Sequence, residues 1–207
     1  MNNNTLIMLG LIAIMAICSI GMSLKKRLLF RRLQGLLTAG DFDAFFELID
    51  KPLTRILYPE YNLSYFKLNA YLLKDDTKAA TEMLEDLLNR KLGKKQRRDL
   101  VVKAFNIYLG QENRKRTQAL LEEIESWDDE TMRGIQHECR RTYDIVILGK
   151  SNYIDEMERE VPETQGMMRG RLEYFLALQY ENRGEKDKRD EWMERASKDS
   201  FQMPNKA

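Results

Sequence analysis

A similar twenty-residue phrase occurs twice in this chain, 37 residues apart: NAYLLKDDTKAATEMLEDLL from Asn69 and NIYLGQENRKRTQALLEEIE from Asn106. Self-similarity at such a period marks supersecondary units that cannot bury their apolar faces alone and must stack. It therefore constrains the fold more than any composition. Six aligned pairs are identical: Asn69/Asn106, Tyr71/Tyr108, Leu72/Leu109, Lys78/Lys115, Leu84/Leu121 and Glu85/Glu122. The same grammar, a tyrosine and then a polar turn before a charged run, returns in ALQYENRGEKDKRDEWMERA from Ala177. GLLTAGDFDAFFELID from Gly35 reads as an opening copy, and DIVILGKSNYIDEMERE from Asp144 as a weaker one. Aligning Leu36, Tyr71, Tyr108, Ile147 and Tyr180 gives spacings of 35, 37, 39 and 33, a ruler for five helical pairs.

Each unit reads as helix–turn–helix. Tyr61, Tyr65, Leu68 and Leu72 recur three or four apart, which puts them on one helical face. Asp75 and Asp76 then interrupt the run, because aspartate favours turns and helix starts. Ala79, Met83, Leu84 and Leu87 supply the stripe of the next helix. Gly40 with Asp41, Gly110, Gly149 and Gly184 mark comparable turns. With four prolines and almost no strict alternation, the expected fold is all-α, an α-solenoid of about five helical hairpins.

The first 24 residues carry no charge, and 5–24 is a run of twenty mostly apolar residues. As a helix it spans about 30 Å, the thickness of a bilayer's hydrocarbon core. A signal peptide wants positive charge before a shorter apolar run. Here the positive charge follows, at Lys25, Lys26, Arg27, Arg31 and Arg32. The expectation is a single uncleaved anchor at the cell (inner) membrane, N-terminus outside and the remainder cytoplasmic. Those five cations also suit anionic headgroups, besides setting topology. The expected division is tail and anchor at 1–24, repeat domain at 25–200 and a flexible tail at 201–207. Two cysteines, Cys18 inside the span and Cys139 far along the chain, exclude a disulfide framework.

The repeats resemble the tetratricopeptide family, most clearly in NAYLLKDDTKAATEML and ALQYENRGEKDKRDEWMERA. These carry a first-helix tyrosine (Tyr71, Tyr180), a turn (Asp75-Asp76, Gly184-Glu185) and small second-helix residues (Ala80, Ala196). Leu68 and Phe105 stand where the family prefers a small residue, so a generic array of helical hairpins is the other reading. The resemblance implies a peptide- or helix-binding groove lined by first helices. It puts Tyr65, Asn69, Leu72, Val102, Asn106, Leu109, Tyr174 and Leu178 there. Inter-repeat packing is the plainer role for the same eight residues.

No catalytic constellation is spelled out. His137 is the single histidine, and Cys139 two residues on points to another side of a helix. Phosphate-loop, dinucleotide-binding and nucleophile-elbow motifs are absent. No enzyme, metal, cofactor or small-molecule substrate is expected. Two charge runs stand out. Arg90, Lys91, Lys94, Lys95, Arg97 and Arg98 put six cations and no anion in 90–98, and EEIESWDDE puts six anions in 122–130. The basic run has no interleaved aromatics, which weighs against single-stranded nucleic acid.

The functional expectation is a membrane-anchored scaffold or adaptor that binds a membrane-associated protein through its groove. Two alternatives are a constitutive subunit of a membrane complex, or a lipid or RNA binder using 90–98.

Overall fold

The computed structural model describes residues 3–198, with side chains from Gly21 onward. Both the expected tail at 201–207 and most of the expected anchor's side chains lie outside the described residues. Among the described residues no helix is long and apolar enough to cross a membrane. They are all-helical, without a strand. The chain divides into two compact units, Met1–Lys91 and Leu92–Ala207, so a boundary falls inside the stretch read as one repeat domain.

The first unit begins with one continuous helix, α1 (Asn3–Thr38), which turns back through Gly40 into α2 (Phe42–Asp50). Phe45, Leu48 and Ile49 of α2 are buried and join Leu33 in one core; Leu29, Leu36 and Leu37 pack against it. Two X-Pro steps then shape the chain. Pro52 drives Lys51 into an extended conformation, which ends α2 and opens the short α3 (Pro52–Leu57) at its first position. Thr54 Oγ1 donates to the Leu48 carbonyl (2.7 Å), which also accepts from Lys51 N–H (3.3 Å), so the end of α2 is capped twice. Tyr58, before Pro59, is extended in the same way, and α4 (Glu60–Leu73) follows, paired with α5 (Thr77–Leu88).

The second unit contains α6 (Lys94–Gly110), α7 (Arg114–Glu125), α8 (Arg133–Val146), α9 (Ile154–Glu160), α10 (Gly166–Asn182) and α11 (Lys186–Lys198). α6 pairs with α7, and α10 with α11. α8 packs on α6, α7 and α10. Ile145, Ile154, Met157, Val161, Leu172, Phe175, Leu176 and Tyr180 form a core between α8, α9 and α10.

The rhyme in the sequence is turn chemistry. Backbone φ is positive at Gly40, Asp75, Glu112, Gly149 and Gly184, spaced 35, 37, 37 and 35 (a further positive φ, at Gly166, falls outside this series). At four of these the turn is a Schellman motif. Asp76 N–H reaches the Tyr71 carbonyl and Asp75 N–H that of Leu72. The same pair of bonds runs Asn113–Tyr108 and Glu112–Leu109, Glu185–Tyr180 and Gly184–Glu181, and Asp41–Leu36 and Gly40–Leu37. Asp41, Asp76 and Asn113 then cap the following helix by accepting from Ala44, Ala79 and Arg116 N–H. The left-handed residue of the third turn is Glu112, not Gly110, which still belongs to α6.

The fourth copy departs in two respects. Its register passes through Ile145, four before Gly149, rather than through Ile147; Ile145 is the residue buried in the core beside Tyr180. Its turn is also wider, with Lys150 N–H reaching Asp144 O instead of Ile145 O. The Ile145 carbonyl so released accepts from Asn182 Nδ2 (3.1 Å), which also donates to the Lys150 carbonyl (3.1 Å). Gln179, fully buried on α10, accepts from Tyr153 N–H (2.9 Å). A turn that is locally incomplete is finished by the next hairpin.

Candidate interaction surfaces

The residues expected in a groove divide between the units. In the first unit Tyr65, Asn69 and Leu72 are half-buried on α4. In the second, Val102 is half-buried and Leu109 buried on α6, while Asn106 is exposed and donates through Nδ2 to the Val102 carbonyl of its own helix (2.8 Å). Tyr174 and Leu178 pack against the α8–α9–α10 core. Burial pushes the Tyr174 phenol up, with the carboxylates of Glu112 and Glu181 adding to it.

The basic run is largely spent on internal ion pairs. Within the first unit Arg90 pairs with Asp86 (2.6 Å) and Glu60 (3.2 Å). Within the second, Arg97 forks onto Glu123 with two bonds of 2.7 Å. Arg98 reaches Asp129 (2.6 Å) and lies over the Trp127 ring, and Lys94 stands 3.9 Å from the same carboxylate. Lys91 and Lys95 are exposed and make no ion pair among the described residues. Within the second unit, 94–98 thus meets the acidic run across α6 and the end of α7. Hydrogen bonds from Thr131 and from Arg98 hold the Asp129 carboxyl well below the ordinary carboxylate range, and the fork on Glu123 pushes Arg97 up. A polyanion binder needs free cations, and this run retains few.

A second polar cluster was not visible in the sequence. Arg141, at only 10% side-chain exposure, extends from α8 to Glu160 (2.8 Å) and Glu156 (2.9 Å) on α9 and also binds Glu138. His137 Nε2 stands 3.2 Å from Glu156, and Arg171 of α10 stands 3.4 Å from Glu138. On α10, Glu173 is 1% exposed between Arg169 (3.1 Å) and Arg195 (3.4 Å). The one sequence signal for it is a lone acid inside the apolar phrase RLEYFLALQY.

Cys139 and His137 are the side chains most suited to chemistry. Burial raises the Cys139 thiol to about 12, and the neighbouring Glu138 adds to the effect, so thiolate is scarce at neutral pH. His137 faces Glu156 and the edge of Tyr153, with no hydroxyl or thiol nucleophile hydrogen-bonded to it among the described residues. No group of three or more metal-ligating side chains converges among them either.

Exposed apolar side chains of the first unit include Leu73 at the C-terminal end of α4 and a larger group on α1 and α3. Met22, Leu24 and Leu28 on α1 and Leu53 and Ile56 on α3 are all more than half exposed. Their neighbours include Lys25, Lys26, Arg27, Arg31 and Arg32, none ion-paired among the described residues.

No protein-family model, curated protein or solved structure matches this chain.

Proposed function

We propose that this chain is a single-pass membrane-anchored scaffold whose helical hairpins, stacked as a tetratricopeptide-like solenoid, hold a membrane-associated protein at the cytoplasmic face. The observation that carries the reading is the division of labour along α1. Its last turns supply Leu29, Leu33, Leu36 and Leu37 to the first unit's packing, while Met22, Leu24 and Leu28 stay uncovered. A helix held at one end and apolar at the other suits an anchor that passes directly into a folded unit. The recurring turn, at 35, 37, 37 and 35 residues, supports repeated hairpins. Tethering confines such a binder to a thin layer and raises its effective concentration towards membrane partners.

Two measurements test this. Cysteines introduced one at a time as Asn3→Cys and Ser200→Cys in a cysteine-free chain are exposed to an impermeant reagent on intact cells. Labelling of the first alone is expected, and labelling of the second alone overturns the orientation. Crosslinked pull-down of the full chain is expected to recover a stoichiometric protein that the Asn69→Arg/Asn106→Arg chain loses. Recovery by both chains removes the groove from the reading.

A further inference from the structure

We infer that α3 is a second membrane contact: its outer face, Leu53 and Ile56, lies in the interfacial layer of the phospholipid bilayer beside the anchor. The inference rests on the reading that 5–24 spans the membrane.

The path of the chain sets the height of α3. After the turn at Gly40, α2 runs back along α1 for nine residues, about 13 Å at 1.5 Å per residue, towards the N-terminal end. α3 continues to Tyr58, whose hydroxyl donates to the Lys26 carbonyl (2.7 Å) while the Lys26 ammonium sits over its ring. α4 then retreats. Phe66 meets Phe30 of α1, and Tyr71 meets Phe46 of α2. Of the elements that fold back on α1, α3 is therefore the one nearest Leu24. Lys26 is two residues past the expected end of the span, about 3 Å along the helix axis, whereas the headgroup layer is about 5 Å or more thick on each side.

The surface of α3 suits that height. Thr54 and Tyr58 are buried and Leu57 packs against the core, whereas Leu53 and Ile56, one turn apart, are 54% and 78% exposed. Apolar side chains this open beside Lys25, Arg27 and Arg31 have the composition of an interfacial helix on an anionic surface. A single helix leaves a cytoplasmic unit free to swivel about it. A second contact off the axis fixes which face of the unit turns towards the membrane plane.

The test uses the full chain with Cys18 and Cys139 replaced by alanine and one new cysteine at Met22, Ile56 or Lys78, each carrying an environment-sensitive fluorophore. Lys78 is exposed on α5, beside the turn remote from Lys26. The proteins are reconstituted in vesicles of phosphatidylcholine and phosphatidylglycerol containing a lipid with a nitroxide at a shallow acyl position. Expected is a blue shift and a loss of emission at Ile56→Cys as large as at Met22→Cys, with neither at Lys78→Cys. Quenching at Met22→Cys with none at Ile56→Cys overturns the proposal and leaves the anchor standing. A blue shift at Ile56→Cys without quenching also overturns it, assigning the face to a protein. No quenching at any position refutes the anchor, and the proposal falls with it.

Discussion

Glu112 holds φ at +52° in the third turn, where the fifth has Gly184 at +77°. Because the hydrogen bonds of the two turns are the same, the two residues report one backbone cost from opposite sides. Left-handed backbone costs an L-residue about 1–2 kcal/mol. Glycine avoids this cost but loses about 0.5–1 kcal/mol more conformational freedom on folding. Glu112→Gly should therefore stabilise the second unit by about 0.5–1 kcal/mol, and Gly184→Ala should destabilise it by about 1 kcal/mol. A Cβ at Gly184 meets nothing within 4 Å, so no packing term confuses the second change. Glu112→Gln is the control for the lost charge, since Glu112 acts on Tyr174, and it should be close to neutral. Both tryptophans, Trp127 and Trp192, belong to the second unit, so their fluorescence during urea unfolding of the detergent-solubilised full chain isolates that unit. With a slope of about 2 kcal/mol/M, the midpoints should move by roughly 0.5 M in opposite directions. A lower midpoint for Glu112→Gly, or an unchanged one for Gly184→Ala, refutes the reasoning.

Arg141→Met should cost about 3 kcal/mol, because it leaves the carboxylates of Glu138, Glu156 and Glu160 facing one another; the same unfolding assay reads it, and a change under 1 kcal/mol sinks the idea. Asn182→Ala should cost about 1–2 kcal/mol by orphaning the Ile145 and Lys150 carbonyls of the fourth turn, with hydrogen exchange accelerated there but not at the third turn. Burial and the Asp144 carboxylate hold Tyr153 at about 12, so its neutral form is favoured by folding. The resulting stability is complete below the unfolded value near 10 and is lost as pH rises through about 12, and Tyr153→Phe should blunt that alkaline loss. Burial alone would raise the Asp50 carboxyl, but Lys67 and Arg55 outweigh it and hold it low. Its contribution is therefore present above about pH 4 and lost as pH falls through the folded value, and Asp50→Asn should flatten the acid limb of the stability curve. In a Cys18→Ala chain, Cys139 should resist alkylation at neutral pH until urea unfolds it; rapid modification of the native protein contradicts its burial.

The sequence by itself determined the local grammar: the all-helical fold, the turns after Tyr71, Tyr108 and Tyr180, and the aspartate and asparagine caps. A Schellman turn and its cap are written within about ten consecutive residues, so their chemistry is legible without the rest of the chain. Asp75 was readable as a break for that reason. Nothing about a glutamate advertises left-handed backbone, so Glu112 is silent in the sequence, and the register through Ile145 is silent too because the fourth turn is finished by Asn182, 37 residues beyond Ile145. Tertiary structure decided what depends on distance in space. Within the second unit it brought Arg97 and Arg98 against Glu123 and Asp129, so that these charges of opposite sign neutralise each other. It also gathered Arg141, Glu156 and Glu160 from two helices, and carried Tyr58, at the end of α3, back to Lys26. Charge and hydropathy are properties of residues, but whether a charge is free or an apolar side chain covered is a property of neighbours. The periodicity of a single chain does not name them.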